Sequence, residues 1–142
     1  MTDCLFCKII AKEIPAEMLF ENEHTFAFLD IRPNNAGHTL VVPKVHYRNM
    51  LDMPESVWLE VMKTVYYLAP VIKNAVGADG INITMNNEPA AHQLVFHAHM
   101  HIIPRIEGDP HKPWIGTEYK EGGAKEVAEK IKQGLGDASS CP

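Results

Sequence analysis

The sequence has little positive charge, few cysteines and no long apolar run. Its 13 lysine and arginine residues are outnumbered by 18 aspartate and glutamate residues, and the net charge is -5. A nucleic-acid surface needs a basic stripe, so we expect no nucleic-acid partner, although a local cluster of donors would still bind a small phosphate. No apolar stretch is long enough for a membrane span, and no apolar run follows a basic start. We therefore expect no membrane partner, no signal peptide and a cytoplasmic protein.

Only three cysteines are present, and two of them form a Cys-x-x-Cys pair at Cys4 and Cys7. In a cytoplasmic chain this count argues against a disulfide framework. The pair has the spacing of zinc ligands, but a redox pair or two small buried residues would give the same pattern. Cys141 lies in a polar tail, where we expect an unpaired thiol.

A chain of 142 residues with 46% hydrophobic content is long enough for one domain with a core. We predict a single domain over residues 1–142, with a core of about 4–105 and an extension over 106–142 that holds one helix and a frayed tail. Hydrophobic periodicity predicts helices over 5–12, 55–76 and 124–135. Alternation and turn formers predict strands over 17–21, 24–30, 38–42, 81–85 and 96–103. Strands joined by short turns, with helices on one side, indicate an α+β fold with an antiparallel sheet.

Two of the predicted helices carry specific expectations. Pro70 lies inside the apolar pattern of the long helix and should kink it or break its hydrogen bonding locally. In the last helix the apolar residues Val127, Ile131 and Leu135 share one face, which we expect to point inward.

Three histidines, His97, His99 and His101, alternate with apolar residues in the stretch before Pro104. A β-strand sends successive side chains to opposite faces and repeats like positions about every 6.6 Å, so the three imidazoles would share one face. Pro104 is expected to end the strand. Imidazole serves proton transfer, nucleophilic attack or metal binding more often than simple surface cover. The alternative is a half-exposed strand whose polar face happens to consist of histidines.

His-x-His-x-His followed by two apolar residues resembles the signature of the histidine triad (HIT) superfamily of nucleotide hydrolases and transferases. The surroundings, from about Cys4 to Arg105, are similar to the Hint-like branch and to its bacterial-type members with Cys-x-x-Cys. The resemblance implies a HIT-like fold, with a five-stranded antiparallel sheet, a long helix and short N- and C-terminal helices. It also implies that two sheets pair across a homodimer.

The resemblance implies a hydrolase in which His99 attacks the α-phosphorus of a purine nucleotide and forms a nucleotidyl-histidine that water later hydrolyses. His101 would donate a hydrogen bond to the phosphoryl oxygens. His38 would support the triad from the neighbouring strand, unless it only caps the start of that strand. The expected activity is that of a purine nucleoside phosphoramidase, acting on AMP or GMP linked to an amine or a similar leaving group. A dinucleoside polyphosphate hydrolase and a nucleotide-binding module with little turnover are the alternatives.

The same resemblance implies a nucleotide pocket. Asp30 would accept hydrogen bonds from the ribose hydroxyls, and Asn86 would contact the phosphate. Both have simpler roles available, because Asp30 ends a predicted strand and Asn86 suits an Asx turn. The apolar slot for the purine base would consist of residues that are also candidates for the core, namely Leu5, Phe6, Ile9, Ile14, Phe28, Leu29 and Ile31.

The sequence departs from the family pattern just before the triad. His92, Gln93 and Leu94 occupy the positions where family members usually have Gly-Gln-Ser or Gly-Gln-Thr. Gln93 and Leu94 would still border the nucleotide, but Leu94 lacks the hydroxyl that assists the leaving group in the family. Losing one well-placed donor costs about 100-fold or more in rate. His92 either compensates by reaching the phosphate or points to solvent.

The resemblance also implies a structural zinc ion. The histidine of a Pro-Lys-x-His motif and the first histidine of the triad would join the two cysteines, so that the ligands would be Cys4, Cys7, His46 and His97. A Cys₂His₂ set of this kind forms a closed tetrahedral site. Zinc would tie the N-terminal helix to the triad strand and would leave His99 and His101 for catalysis.

Overall fold

The computed structural model describes residues 3–136, so the predicted frayed tail beyond Gly136 and the thiol of Cys141 lie outside the described residues. The chain divides after Pro110 into two compact units. Within residues 3–136, no helix combines the length and the hydropathy that a membrane span needs.

The first unit is built on a five-stranded antiparallel sheet. Its strands are β1 (Met18–Glu21), β2 (Thr25–Leu29), β3 (Thr39–Pro43), β4 (Gly80–Thr84) and β5 (Met100–Arg105). Their order in the sheet is β1-β2-β3-β5-β4, and every neighbouring pair is antiparallel. β4 is therefore an edge strand, whereas β5, which holds the last histidine of the triad, lies inside the sheet. The predicted α+β class and five-stranded antiparallel sheet are confirmed.

Residues 3–136 contain three α-helices, α1 (Leu5–Ile10) and α2 (Glu55–Ala75) in the first unit and α3 (Gly123–Leu135) in the second. α1 ends two residues before its predicted end, and Lys12 then takes a left-handed conformation with a φ of 62°. α2 continues through Pro70 as one helix of 21 residues. A short 3₁₀ turn, Pro89–Ala91, lies in the loop before the histidines.

Each face of the sheet carries a buried apolar cluster. One face packs against α2, and this cluster consists of Ala27, Val41, Val61, Val65, Leu68, Ile72, Met100 and Ile102. The other face packs against α1, and this cluster consists of Phe6, Ile9, Phe26, Phe28, Leu40 and Val42. Because side chains alternate along a strand, His101 lies on the α1 face while its two neighbours in β5 lie on the α2 face.

The histidine strand begins later than predicted. β5 starts at Met100 rather than at residue 96, so His97 and His99 lie in the segment that leads into the sheet. Here Ala98 donates its N–H to the carbonyl of Tyr47, at 2.7 Å, instead of to a neighbouring strand. This segment is therefore held by a loop and not by the sheet ladder.

The prediction that Pro104 ends the strand is wrong, because Pro104 lies inside β5 and pairs with Ile81 of β4. Proline lacks an N–H, so it fits a strand only where no ladder bond is needed. The Pro104 carbonyl accepts a hydrogen bond from the side chain of Asn35, which precedes β3. The N–H and carbonyl of one residue point to the same side of an antiparallel strand. The pairing of β3 with β5 ends at Ile102, so the missing N–H would point beyond the start of β3.

The second unit contains α3, which is amphipathic as the sequence predicts. The residues predicted to point inward are Val127, Ile131 and Leu135, and each exposes more than a third of its surface. No residue of α3 is buried. The prediction of an inward apolar face is therefore wrong for the single chain, because the pattern of a helix does not specify what covers it.

Gly37 sets the approach of the chain to β3. Its φ is 89°, a left-handed conformation that glycine adopts at no steric cost. A Cβ at this position would lie 2.9 Å from Cγ1 of Val76 and 3.2 Å from Cγ of Pro104. The backbone therefore passes too close to these two side chains to carry a side chain of its own.

We expect Gly37→Ala to destabilise the protein more than Gly77→Ala. Gly77 also has a positive φ, 64°, but no atom lies within 4 Å of a Cβ built there. The Gly77 variant therefore measures backbone strain alone, about 1 to 2 kcal/mol, while Gly37→Ala adds overpacking of about 1 to 3 kcal/mol. Urea unfolding gives the free energy of unfolding of both variants. Equal losses would contradict the steric part of this explanation.

Candidate functional site

The three histidines of the triad lie beside α1. The ring of Phe6 meets the His99 ring edge-on, with centroids 5.1 Å apart, and the His97 ring at 6.0 Å. The His99 and His101 rings are neighbours, with centroids 4.9 Å apart. His99 is only 7% exposed, and His97 is fully buried. The structure therefore brings the triad together as one group of adjacent imidazoles next to the N-terminal helix.

A peptide carbonyl determines which nitrogen of His99 is available. Nδ1 of His99 lies 2.6 Å from the carbonyl oxygen of His97, and a carbonyl only accepts, so Nδ1 carries the proton. The free lone pair is then on Nε2. Burial lowers the pKa of His99, so the ring is neutral at pH 7. A neutral imidazole whose Nδ1–H is held by an acceptor is a good nucleophile at Nε2.

A peptide N–H places the proton of His38 and of His101 on Nε2, the opposite nitrogen from that in His99. The N–H of Asn34 donates to Nδ1 of His38 at 3.1 Å, so the proton of the neutral ring is on Nε2. Nε2 of His38 lies 2.9 Å from Nδ1 of His101, to which it donates. The neutral ring of His101 then carries its proton on Nε2, a buried atom with no hydrogen-bond partner among residues 3–136. Burial lowers the pKa of both rings, that of His101 to about 4, which keeps both neutral.

His99 and His101 therefore present opposite polarities side by side. One offers a lone pair to an electrophile, and the other offers an N–H to a neighbouring oxygen. A buried donor that lacks a partner costs about 1 to 3 kcal/mol, so an oxygen of a ligand at Nε2 of His101 would remove that penalty. The unpartnered N–H thus indicates a position for a ligand oxygen.

Asp30 joins this group at the end of β2. Its Oδ2 lies 3.8 Å from Nε2 of His38, and its Oδ1 accepts the N–H of Arg32 at 2.8 Å. The carboxylate thus holds a turn and also faces the histidines. Asp30, His38 and His101 are close enough together to contact one cation. The N–H of Asn34 argues against a cation, because it occupies the Nδ1 lone pair of His38 and keeps a proton on the nitrogen that would have to bind the metal.

A second cluster has ligand atoms that all lie within 4.8 Å of one another, and it consists of Cys4, Cys7, His46 and His97. Sγ of Cys4 and Sγ of Cys7 are each 3.5 Å from Nδ1 of His97. Nδ1 of His46 is 3.4 Å from Sγ of Cys7 and 3.2 Å from Nδ1 of His97. Tetrahedral zinc with Zn–S bonds of about 2.3 Å and Zn–N bonds of about 2.0 Å has ligand atoms roughly 3.3 to 3.8 Å apart. The distances between ligand atoms in the cluster are close to these values.

Protonation in this cluster also suits a metal. Nε2–H of His97 donates to the carbonyl of Pro43 at 2.8 Å, which leaves the lone pair of Nδ1 facing the cysteines. Burial lowers the pKa of His97 to about 4, so that ring is neutral. Desolvation and the neighbouring Cys4 raise the pKa of Cys7 to about 11. A divalent cation would reverse this rise, because it stabilises the thiolate. The donor set therefore fits a structural zinc ion.

Gln93 is buried and makes four hydrogen bonds within the protein. Its Nε2 donates to the carbonyls of Arg48 and Val95, at 2.7 and 3.1 Å. Its Oε1 accepts the N–H of Glu88 at 2.9 Å and Nδ2–H of Asn49 at 3.0 Å. These contacts use the full hydrogen-bonding capacity of the amide. Gln93 therefore shapes the loop before the triad, and its contact with a nucleotide stays a prediction.

Arg48, Asn49 and Glu88 complete this network, and the sequence indicated none of the three. Nε and Nη2 of Arg48 donate to the two carboxylate oxygens of Glu88, at 2.9 and 2.8 Å, and Nδ2 of Asn49 donates to Glu88 at 2.8 Å. The guanidinium of Arg48 also lies 4.3 Å from the ring centroid of Phe96. The bonds hold a loop with two strained residues, because Glu88 and His92 have φ values of 76° and 63°. No spacing pattern could have indicated partners some forty residues apart.

The apolar residues predicted to hold the purine base are divided between core and surface. The buried ones are Phe6, Ile9 and Phe28. The partly buried ones are Ile14 and Leu29. The exposed ones are Leu5 and Ile31, and Ile31 is 88% exposed.

Two further candidates lie in the loop before the triad. Nδ2 of Asn86 donates to the carbonyl of His92 at 3.3 Å, so Asn86 helps to close the loop. The side chain of Leu94 is 86% exposed, and His92 is exposed as well. The structure therefore leaves the roles of Asn86, His92 and Leu94 towards a nucleotide as predictions.

Comparison with known proteins identifies the family of the chain. A family model described as the HIT domain matches residues 11–108. An uncharacterized HIT-like protein of Methanocaldococcus jannaschii is 49% identical over 129 residues, which cover 91% of this chain and 98% of that protein. The adenosine 5'-monophosphoramidase HNT1 of Saccharomyces cerevisiae is 41% identical over 102 residues, which cover 72% of this chain and 62% of that protein.

A solved structure resembles the fold described above. The crystal structure of a Zn-bound histidine triad family protein from Mycobacterium smegmatis has a TM-score of 0.75 and 33% identity to this chain. The similarity covers 96% of this chain and 99% of that one. The family predicted from the histidine pattern is confirmed: the chain belongs to the HIT family.

Proposed function

We propose that the protein is a nucleotide hydrolase acting on the α-phosphate of purine nucleotides, and more specifically a purine nucleoside phosphoramidase. Its substrate would be AMP or GMP linked to an amine or a similar leaving group. The observation that carries the proposal is the adjacent pair of imidazoles with opposite polarity, with a lone pair on Nε2 of His99 and an N–H on Nε2 of His101. The phosphoramidase activity named for the yeast relative supports this substrate class.

In the first step, Nε2 of His99 attacks the α-phosphorus and forms a phosphorus–nitrogen bond. The bond to the leaving nitrogen breaks, and the amine keeps the electron pair and takes a proton from solvent. Nε2–H of His101 binds a phosphoryl oxygen, where negative charge is concentrated. The carbonyl of His97 accepts from Nδ1–H of the ring as it becomes positively charged.

In the second step, water attacks the phosphorus on the nucleotidyl-histidine. The bond between phosphorus and Nε2 of His99 breaks, and the ring returns to its neutral form with a proton on Nδ1. The nucleoside monophosphate leaves with the oxygen of water. Splitting the reaction in this way replaces one difficult displacement with two easier ones.

The nucleotide would lie between the loop after β2 and the loop before the triad. Asp30 would accept hydrogen bonds from the ribose hydroxyls, and its position beside His38 supports this role. The exposed side chains of Leu5 and Ile31 would contact the base, with the buried Phe6 behind them. Asn86 would contact the phosphate.

Leu94 supports a second candidate function, a nucleotide-binding module with little turnover. The side chain is 86% exposed and has no donor to offer a leaving group. A dinucleoside polyphosphate hydrolase would use the same nucleophile and would differ only in the group that leaves. Turnover measurements with an adenosine phosphoramidate and with a dinucleoside polyphosphate separate these possibilities.

We also propose that a structural zinc ion binds at the cluster formed by Cys4, Cys7, His46 and His97. When bound, zinc would neutralise the two thiolates and would cross-link α1 to the segment before β5. The Zn-bound relative from Mycobacterium smegmatis supports the proposal. Thiols that serve as metal ligands must stay reduced, which supports a cytoplasmic location.

We further propose that two copies of the chain form a homodimer through the edge of the sheet. β4 is an edge strand, and Ile83 on it is exposed. An apolar groove runs between β4 and α2, lined by Met62, Val65, Tyr66, Tyr67, Ala69, Pro70 and Ile83. An exposed edge beside an apolar groove favours association, and a second copy would cover both.

The first test of the proposed activity compares the wild type with His99→Ala on an adenosine phosphoramidate. We expect the variant to lose about 1,000-fold or more in kcat, because the nucleophile is absent. His24→Ala is the matched control, since His24 is an exposed histidine outside both clusters. Release of AMP measures the rate. Equal rates for wild type and His99→Ala would remove His99 from the mechanism.

Elemental analysis tests the zinc proposal. Protein purified without chelator should contain close to one zinc per chain, and His46→Ala should lose most of it because a ligand is missing. Cys141→Ser changes a cysteine outside the proposed ligand set and should keep the metal. Absence of near-stoichiometric metal from the wild type would disprove the site.

Light scattering tests the dimer. The wild type should have twice the 15.9 kDa mass of the chain, and Ile83→Glu should shift it toward a single copy because a charge would be buried at the interface. Leu51→Glu places the same charge on an exposed leucine outside the groove and serves as the control. A wild-type mass of one chain would rule out this assembly.

A further inference from the structure

The loop between β2 and β3, residues 30–38, carries both Asp30 and His38. Two backbone hydrogen bonds close it, from the Asp30 N–H to the His38 carbonyl at 2.9 Å and from the His38 N–H to the Asn35 carbonyl at 3.1 Å. The same loop supplies the N–H of Asn34, which donates to Nδ1 of His38. The position of this loop therefore decides where the proton of His38 lies.

The side chain of Asn35 ties the loop to the end of β5. Its Nδ2 donates to the carbonyl of Pro104 and to Oδ2 of Asp109, both at 2.9 Å. Asp109 is itself held by Arg105, whose Nε and Nη2 donate to its two carboxylate oxygens at 2.7 and 2.6 Å. A bidentate pair of this kind is geometrically well defined. Asn35 thus connects the loop to a fixed point on the sheet.

The position of the Asn34 N–H matters because His38 and His101 form a hydrogen-bonded chain. If that N–H moves away, Nδ1 of His38 becomes free to take the proton. Nε2 of His38 would then accept from Nδ1–H of His101, and Nε2 of His101 would become an acceptor. An acceptor in that place repels a phosphoryl oxygen instead of binding it.

We propose that Asn35 is a positioning residue for the hydrogen-bond donor of the active site. Its two hydrogen bonds hold the loop so that the Asn34 N–H keeps His38, and through it His101, in the form with the proton on Nε2. The inference rests on the proposed function for the role of His101 towards phosphate. The proton positions themselves are properties of the protein without substrate, so they are measured independently of activity.

Nitrogen-15 NMR of the histidine rings tests the proton positions directly in the full chain as purified. Near neutral pH we expect the proton on Nε2 in His38 and His101 and on Nδ1 in His99. His38→Gln and His101→Gln assign the signals. A wild-type protein with the proton on Nδ1 of His38 or of His101 would overturn the proposal without any Asn35 variant.

Two variants of Asn35 then test its role. Asn35→Ala removes both hydrogen bonds, and Asn35→Leu removes them while keeping a side chain of similar size and adding no charge beside Asp109, so at least one is expected to fold. We expect the His101 signals to show a mixture of the two proton positions. We also expect kcat for an adenosine phosphoramidate to fall by about 10-fold, with KM changed by less than about threefold, since the donor acts mainly in the transition state.

Asn82→Ala is the matched control. It removes the hydrogen bond from Nη1 of Arg105 to Oδ1 of Asn82, 2.8 Å long, and leaves the contacts of Asn35 in place. This variant should match the wild type in both measurements. A folded Asn35 variant that keeps the wild-type proton positions, with or without loss of activity, refutes the positioning role. Wild-type protein with the expected proton positions but no phosphoramidase activity would refute the proposed function and leave this inference intact.

Discussion

The hydrogen bond from Nδ1–H of His99 to the carbonyl of His97, 2.6 Å long, is the interaction on which the rest of the site depends. It exists because the chain joins the sheet only at Met100, so the peptide groups before that point are not used by the ladder. A regular strand from residue 96 would turn backbone carbonyls toward the neighbouring strands, and the ring of His99 would lose its acceptor. The irregular approach to β5 therefore determines that the free lone pair of His99 is on Nε2.

Backbone groups also fix the other buried imidazoles. Burial makes a histidine neutral but does not choose between its two nitrogens. The carbonyl of Pro43 places the proton of His97 on Nε2, and the N–H of Asn34 places that of His38 on Nε2 as well. Nε2–H of His38 donates to Nδ1 of His101, so the proton of His101 is also on Nε2. Peptide groups do not titrate and move only with the chain, so the polarity of the site is as rigid as the fold around it.

This dependence on peptide groups explains what the sequence could and could not predict. Alternation of side chains predicts the two faces of β5, and the spacing of Cys4 and Cys7 predicts a ligand pair, because both are properties of side-chain order. The start of β5 and the position of Pro104 inside it depend on which backbone groups form hydrogen bonds. The order of residue types does not predict those hydrogen bonds. Gln93 illustrates the same limit, since two of the four groups that occupy its amide, the Arg48 carbonyl and the Asn49 side chain, lie 45 and 44 residues away in sequence. For α3, the pattern identifies an apolar face but not its cover.

His97 belongs to the cluster of Cys4, Cys7 and His46 and also contacts the ring of His99. Its Nε2–H is held by Pro43, its Nδ1 faces the thiols of Cys4 and Cys7, and its carbonyl accepts from His99. The direction of the His97 peptide sets the position of Nδ1–H in His99, because that N–H donates to the His97 carbonyl. His97 therefore connects the cysteine and histidine cluster to the ring that we propose as the nucleophile. Helix α1 contacts both groups as well, because it contributes Cys7 to the cluster and packs the ring of Phe6 against His99.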